Sequence, residues 1–129
     1  MKPMRTLLLS AVVAALLAAC GATAADGGDP VDPGEADATV TAVDMAFEPG
    51  TVTVTVDAGQ GFTLALVNED SMPHNIAIYA DASKSEKLFE GDLVTDGTIV
   101  YAIEALADGE YFFDCSLHPN MTGTLIVEG

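Results

Sequence analysis

The sequence predicts an all-β fold, a β-sandwich or barrel of about seven or eight short strands within residues 38–129. Three observations predict it. β-branched and aromatic residues gather in short runs, several of those runs alternate apolar with polar, and turn residues separate them. No stretch carries a convincing helical period.

The elements follow in order. "TVTAVDMAF" opens the domain and ends at the turn residues "EPG", 48–50. In "TVTVTVD", Val52, Val54 and Val56 face one way and Thr51, Thr53 and Thr55 the other, which fits a strand with one face on a core. "AGQG" at 58–61 turns the chain into "FTLALVN", and "HNIAIY" supplies the next strand. Residues 80–97, with "SKSEKLFEGD", read as an irregular loop holding a helical turn. "TIVYAIE", "YFFDC" and "GTLIVEG" complete the set, with a turn at "ADGE", 107–110. The expected pairing is antiparallel. No internal repeat is visible, and 129 residues allow a single domain.

The N-terminus carries an address. "MKPMRTLLLSAVVAALLAAC" places Lys2 and Arg5 before an apolar run from Leu7 to Ala19, the build of a secretory signal over residues 1–19. It ends in "LAAC", which resembles the lipobox of bacterial and archaeal lipoproteins. That resemblance implies cleavage before Cys20 and a lipid on its thiol. The other reading is an uncleaved transmembrane anchor over Thr6 to Ala25, diluted by Ser10, Gly21 and Thr23. Either way the rest of the chain lies outside the cytoplasm, in a periplasm or at an outer cell surface. Residues 20–37 are Cys20 followed by "GATAADGGDPVDPGEAD", 21–37, whose only large apolar residue is Val31. This reads as a disordered acidic tether, with a typical span of roughly 20–25 Å.

Charge excludes some functions. All 20 acids lie beyond Cys20, but only Lys84 and Lys87 among the 4 bases do. Such a surface repels the phosphate backbone of nucleic acid. It steers basic partners toward itself.

The chemistry concentrates in "DCSLHPNM", residues 114–121, where Cys115, His118 and Met121 form a C-x2-H-x2-M run. The other histidine, His74, opens the strand "HNIAIY". If Cys20 carries lipid, Cys115 is an unpaired thiol in an oxidising compartment, and a metal would protect it. Loops at one end of a sandwich converge, so the four side chains can meet. Two imidazoles and a thiolate with a weak thioether define an electron-transfer copper site. Structural zinc more often takes four strong ligands. Taken singly, each residue has a plainer role: a satisfied histidine, a small buried cysteine, a methionine filling the core. Taken together, the chain's only two histidines and its one unspent cysteine would have to assemble by coincidence.

Residues 38–129 resemble the cupredoxins, the type 1 blue copper proteins. The resemblance rests on "MAFEPGTVTV", "AGQGFTLALVNED", "PHN" and "GEYFFDCSLHPNMTGTLIV". Within the family, the short C-x2-H-x2-M loop is most similar to amicyanin; plastocyanin-like members have a longer His-to-Met spacing. The resemblance implies a Greek-key sandwich with one copper per chain, held by His74, Cys115, His118 and Met121. It implies that Asn75 ties the two ligand loops together through Ser116. It also implies that His118 is the port for electrons beneath an apolar patch, for which Met72, Pro73, Leu117 and Pro119 are candidates. Many relatives with this loop carry proline where Leu117 stands, and the Leu117 N–H is a candidate donor to the Cys115 sulfur. The expectation is a monomeric, non-enzymatic carrier passing one electron at a time between redox proteins at the outer face of a membrane. A copper-trafficking lipoprotein is the alternative, but it would favour an open Met-rich or His-rich motif, and none exists. Multicopper oxidases and nitrite reductases need more histidines than two, and a binuclear copper domain needs two cysteines in the loop.

Overall fold

The computed structural model describes residues 32–129. Nine strands are found there: β1 (Ala38–Val43), β2 (Ala46–Glu48), β3 (Thr51–Thr55), β4 (Phe62–Asn68), β5 (Ala77–Tyr79), β6 (Lys87–Glu90), β7 (Gly97–Ile103), β8 (Gly109–Asp114) and β9 (Thr122–Glu128). They form two sheets, one ordered β2-β1-β4-β7 and the other β3-β9-β8-β5-β6. The all-β sandwich expected from the sequence is therefore the observed architecture.

Alternation positions the core. The valines of β3 point inward and its threonines outward. Phe62, Leu64 and Leu66 from β4 meet Ile78 of β5, Phe113 of β8, and Leu125 and Val127 of β9 between the sheets. Each such side chain contributes roughly 1.5–3 kcal/mol on burial. Phe113 is fully buried and lies across Gly123, where any Cβ would run into its ring.

Three details differ from the sequence reading. The run 39–47 is a hairpin rather than one strand, broken by a two-residue turn at Asp44 and Met45. Two ladders are parallel, β1 with β4 and β3 with β9, rather than antiparallel. The chain crosses to the second sheet as β3 and returns as β4, and a long crossover lets neighbours run the same way. Residues 80–97 contain the edge strand β6 and no helical turn. Only Phe89 of β6 is even partly buried, so no alternation betrays the strand, and the lysine at its start suits a sheet edge.

Residues 33–37, read from sequence as the end of the tether, are attached to the sandwich. Pro33–Glu35 form one 3-10 turn, capped by Asp32. The Asp37 carboxylate accepts from the N–H and hydroxyl of Thr63. The signal segment, Cys20 and most of the tether lie outside the described residues, and no helix among the described residues is long and apolar enough to cross a membrane. From Ala38, β1 runs six residues, about 20 Å, toward the turn at Asp44. The chain thus enters at one end of the sandwich and the "DCSLHPNM" loop lies at the other.

Candidate metal centre

The spacing of the short loop has a backbone cause. The His118 N–H donates to the Cys115 carbonyl at 3.2 Å, and the Met121 N–H to the His118 carbonyl at 2.8 Å. Each three-residue step is therefore one reverse turn, with Pro119 in the second position of the second turn, where proline's fixed φ suits it. The Cys115 N–H returns to the Met121 carbonyl at 3.1 Å and closes the loop. Met121 and Cys115 are buried, and His118 is partly exposed.

His74 comes from the other side. It lies before β5 and pairs through backbone bonds in both directions with Val94, which pins it to the β6–β7 connection. Its Nδ1 stands 3.8 Å from Cys115 Sγ, and His118 Nδ1 stands 3.6 Å from the same sulfur. The three donor atoms lie within 4.8 Å of one another. Imidazole nitrogen at about 2.1 Å and thiolate at about 2.3 Å from a shared ion, 120° apart, would be about 3.8 Å from each other. Both sulfur–nitrogen distances therefore fit a metal shared by the three side chains.

The structure brings Asn75 and Ser116 together. Asn75 Oδ1 accepts from the Ser116 N–H at 2.9 Å, while Asn75 Nδ2 donates to Ser116 Oγ at 3.1 Å and to the Gly91 carbonyl at 2.9 Å. The Ser116 hydroxyl donates onward to Glu90. Sequence reasoning missed several neighbours. Asp70 Oδ2 lies 2.9 Å from His74 Nε2, and the same carboxylate accepts the N–H groups of Asp44 and Met45. Burial works against the ionised Asp70, but the donors Met45, His74 and Asp44 outweigh it and hold its carboxyl below the usual range. An acid four residues before His74 was visible, but Glu69 beside it looks the same in sequence. Leu93 was also missed. It is 48% exposed and shares a groove with Leu117, which is 51% exposed. The expected bond from the Leu117 N–H to the sulfur is not found among the described residues. The hydrogen-bonding partners of the sulfur among the described residues are the two imidazole nitrogens, and the Leu117 side chain is exposed.

A two-sheet sandwich with a His, Cys, His triad at one end and a buried methionine in the same loop defines the class of small blue copper domains. The family model of the cupredoxin-like domain matches residues 8–127, and the chain belongs to that family. Amicyanin-alpha of Methylorubrum extorquens is 32% identical over 126 residues, covering 97% of this chain and 100% of the relative. Amicyanin of Paracoccus versutus is 39% identical over 75 residues, a stretch covering 58% of this chain and 54% of the relative. The crystal structure of the Paracoccus versutus amicyanin superposes with a TM-score of 0.56 at 33% identity, covering 75% of this chain and 85% of that one. Auracyanin from Roseiflexus castenholzii, at 20% identity and a TM-score of 0.57, shares the fold, covering 71% of this chain and 96% of that one. Copper is the cofactor that this family and this donor set define.

Proposed function

We propose that the chain is a one-electron carrier working at the outer face of a membrane, with His74, Cys115, His118 and Met121 as the copper ligands and Cys20 as the lipid attachment point. Bound copper supplies a one-electron couple between Cu(II) and Cu(I). The protein's part is to hold the ligands still. His74 is pinned by Val94 and Asp70, Cys115 and Met121 by the closed loop, and the two loops are joined through Asn75 and Ser116. A cage that is fixed before the electron arrives needs little rearrangement when it does. With all four ligands supplied by the chain, no position is left for a substrate, which supports a carrier rather than an enzyme.

His118 is the route in and out, because it alone of the four ligands reaches the surface. Met72, Leu93 and Leu117 are half-exposed apolar residues that suit a docking patch near it. Both lysines among the described residues are spent in ion pairs, Lys84 with Asp114 and Lys87 with Glu90. The domain thus offers a partner acidic side chains and few cations, which favours a basic partner. A tether entering at the opposite end leaves this face directed away from the lipid.

The observation that carries the reading is the triangle of donors with only His118 partly exposed. Its test is titration of residues 32–129 with Cu(II). The expected result is an intense blue colour saturating at one equivalent and abolished by Cys115→Ser. A colourless protein that prefers Zn(II) overturns the reading.

A further inference from the structure

The turn between β1 and β2 is unusual for its sequence. Asp44 and Met45 both adopt left-handed backbone conformations, with φ of 52° and 58°. A two-residue hairpin turn of this kind requires positive φ at both positions and favours Asn-Gly or Asp-Gly. A methionine there carries a Cβ into a region that side chains avoid. The two N–H groups of the turn converge on one acceptor. Asp44 N–H donates to Asp70 Oδ1 at 2.8 Å and Met45 N–H to Asp70 Oδ2 at 3.1 Å. The same carboxylate then meets His74 Nε2 at 2.9 Å. Asp70 is itself held, because its N–H donates to Asn68 Oδ1 at 2.9 Å. Asn68 Nδ2 in turn donates to the carbonyls of Met72 and Val94 at 2.8 Å each. Val94 is the residue whose backbone pairs with His74.

We propose that Asp70 is a positioning residue that ties the strained 44–45 turn to the ligand His74, fixing its proton on Nε2 and so presenting Nδ1 to the metal. This rests on the reading of His74 as a ligand. An imidazole has two nitrogens, and the one that donates a hydrogen bond leaves the other as the acceptor. A carboxylate on the far nitrogen fixes ring orientation and raises ligand basicity. The gain is greater for the more highly charged Cu(II) than for Cu(I), so Asp70 lowers the reduction potential. The turn contributes by holding the carboxylate in place with two donors that cannot rotate away.

Two effects must be separated, since removing Asp70 also strips the turn of its acceptor. Asp44→Asn with Met45→Gly gives a turn that needs no outside support, so Asp70→Ala is compared in that background and in the wild type. In both, Cu(II) affinity measured by chelator competition should fall about 10–100-fold. The potential should rise by about 59 mV for each tenfold by which Cu(II) is weakened more than Cu(I). In the metal-free protein, nitrogen NMR should find His74 protonated on Nε2 with Asp70 present and in mixed tautomers with alanine there. That readout needs no copper, so it stands even if the protein fails to turn blue, which would sink the electron-carrier reading instead. The proposal is overturned if Asp70→Ala leaves the tautomer and the potential unchanged. It is equally overturned if the Asn-Gly turn restores both, since Asp70 would then be only a staple for the turn.

Discussion

His74 and His118 present the same ring nitrogen to the same sulfur, yet their surroundings are opposite. His74 is fully buried, held on its far nitrogen by Asp70, on its backbone by Val94, and next to Asn75, which binds the facing loop. His118 lies on a seven-residue loop closed by its own backbone bonds and tied to the sandwich through Ser116, with Leu117 and Pro119 exposed on either side of the imidazole. One half of the site is anchored in the sandwich and the other is open to a partner. In the function proposed above, the anchored half is the part that keeps the geometry constant, and the open half is the part that meets another protein.

The largest test of this contrast removes each imidazole. With His118→Gly, added imidazole should enter from solvent and restore the blue colour with Cu(II). With His74→Gly, the gap is walled off on all sides, and added imidazole should restore little or nothing. Equal rescue of both would mean that the two imidazole positions are equally accessible.

A smaller effect concerns what braces the base of the 115–121 loop. Asp114, directly before Cys115, is buried and pairs with Lys84 at 2.5 Å. Lys84→Met leaves that carboxylate without its cation and should lower Tm by several degrees, while Lys84→Met with Asp114→Leu should recover much of the loss. The hydrogen bond from Lys84 to Asp114 raises the lysine's pKa above 10.5 against the pull of burial. A group whose pKa is higher when folded stabilises the fold fully below its unfolded value and loses that stabilisation as pH rises through the folded one. Stability should therefore fall at strongly alkaline pH, and less so in the double variant. Thermal melts across that range in both proteins check it.

Much of the molecule was legible in the sequence, for identifiable reasons. Strands with one buried face, such as Thr51–Thr55, declare themselves by alternation. The loop 115–121 declares itself because soft ligands are scarce and its three-residue spacing is set by local turns. β6 was hidden because an edge strand with little burial leaves no periodic trace. The parallel ladders were hidden because the direction of a neighbour is a property of the crossover, not of either strand. Asp70 was hidden because two of its three partners, Asp44 and Met45, lie 26 and 25 residues before it, and nothing local distinguishes it from Glu69.

In the proposed carrier, electrons pass only through the His118 end. Electron self-exchange between the Cu(I) and Cu(II) forms, followed by NMR line broadening, tests it with no outside partner. Leu117→Asp places like charges face to face at the proposed contact, and it should slow exchange on the order of tenfold or more without shifting the potential. Ala105→Asp adds the same charge at the exposed opposite end, following β7, and should slow exchange far less. Equal slowing by the two substitutions, or none from Leu117→Asp, would contradict the claim.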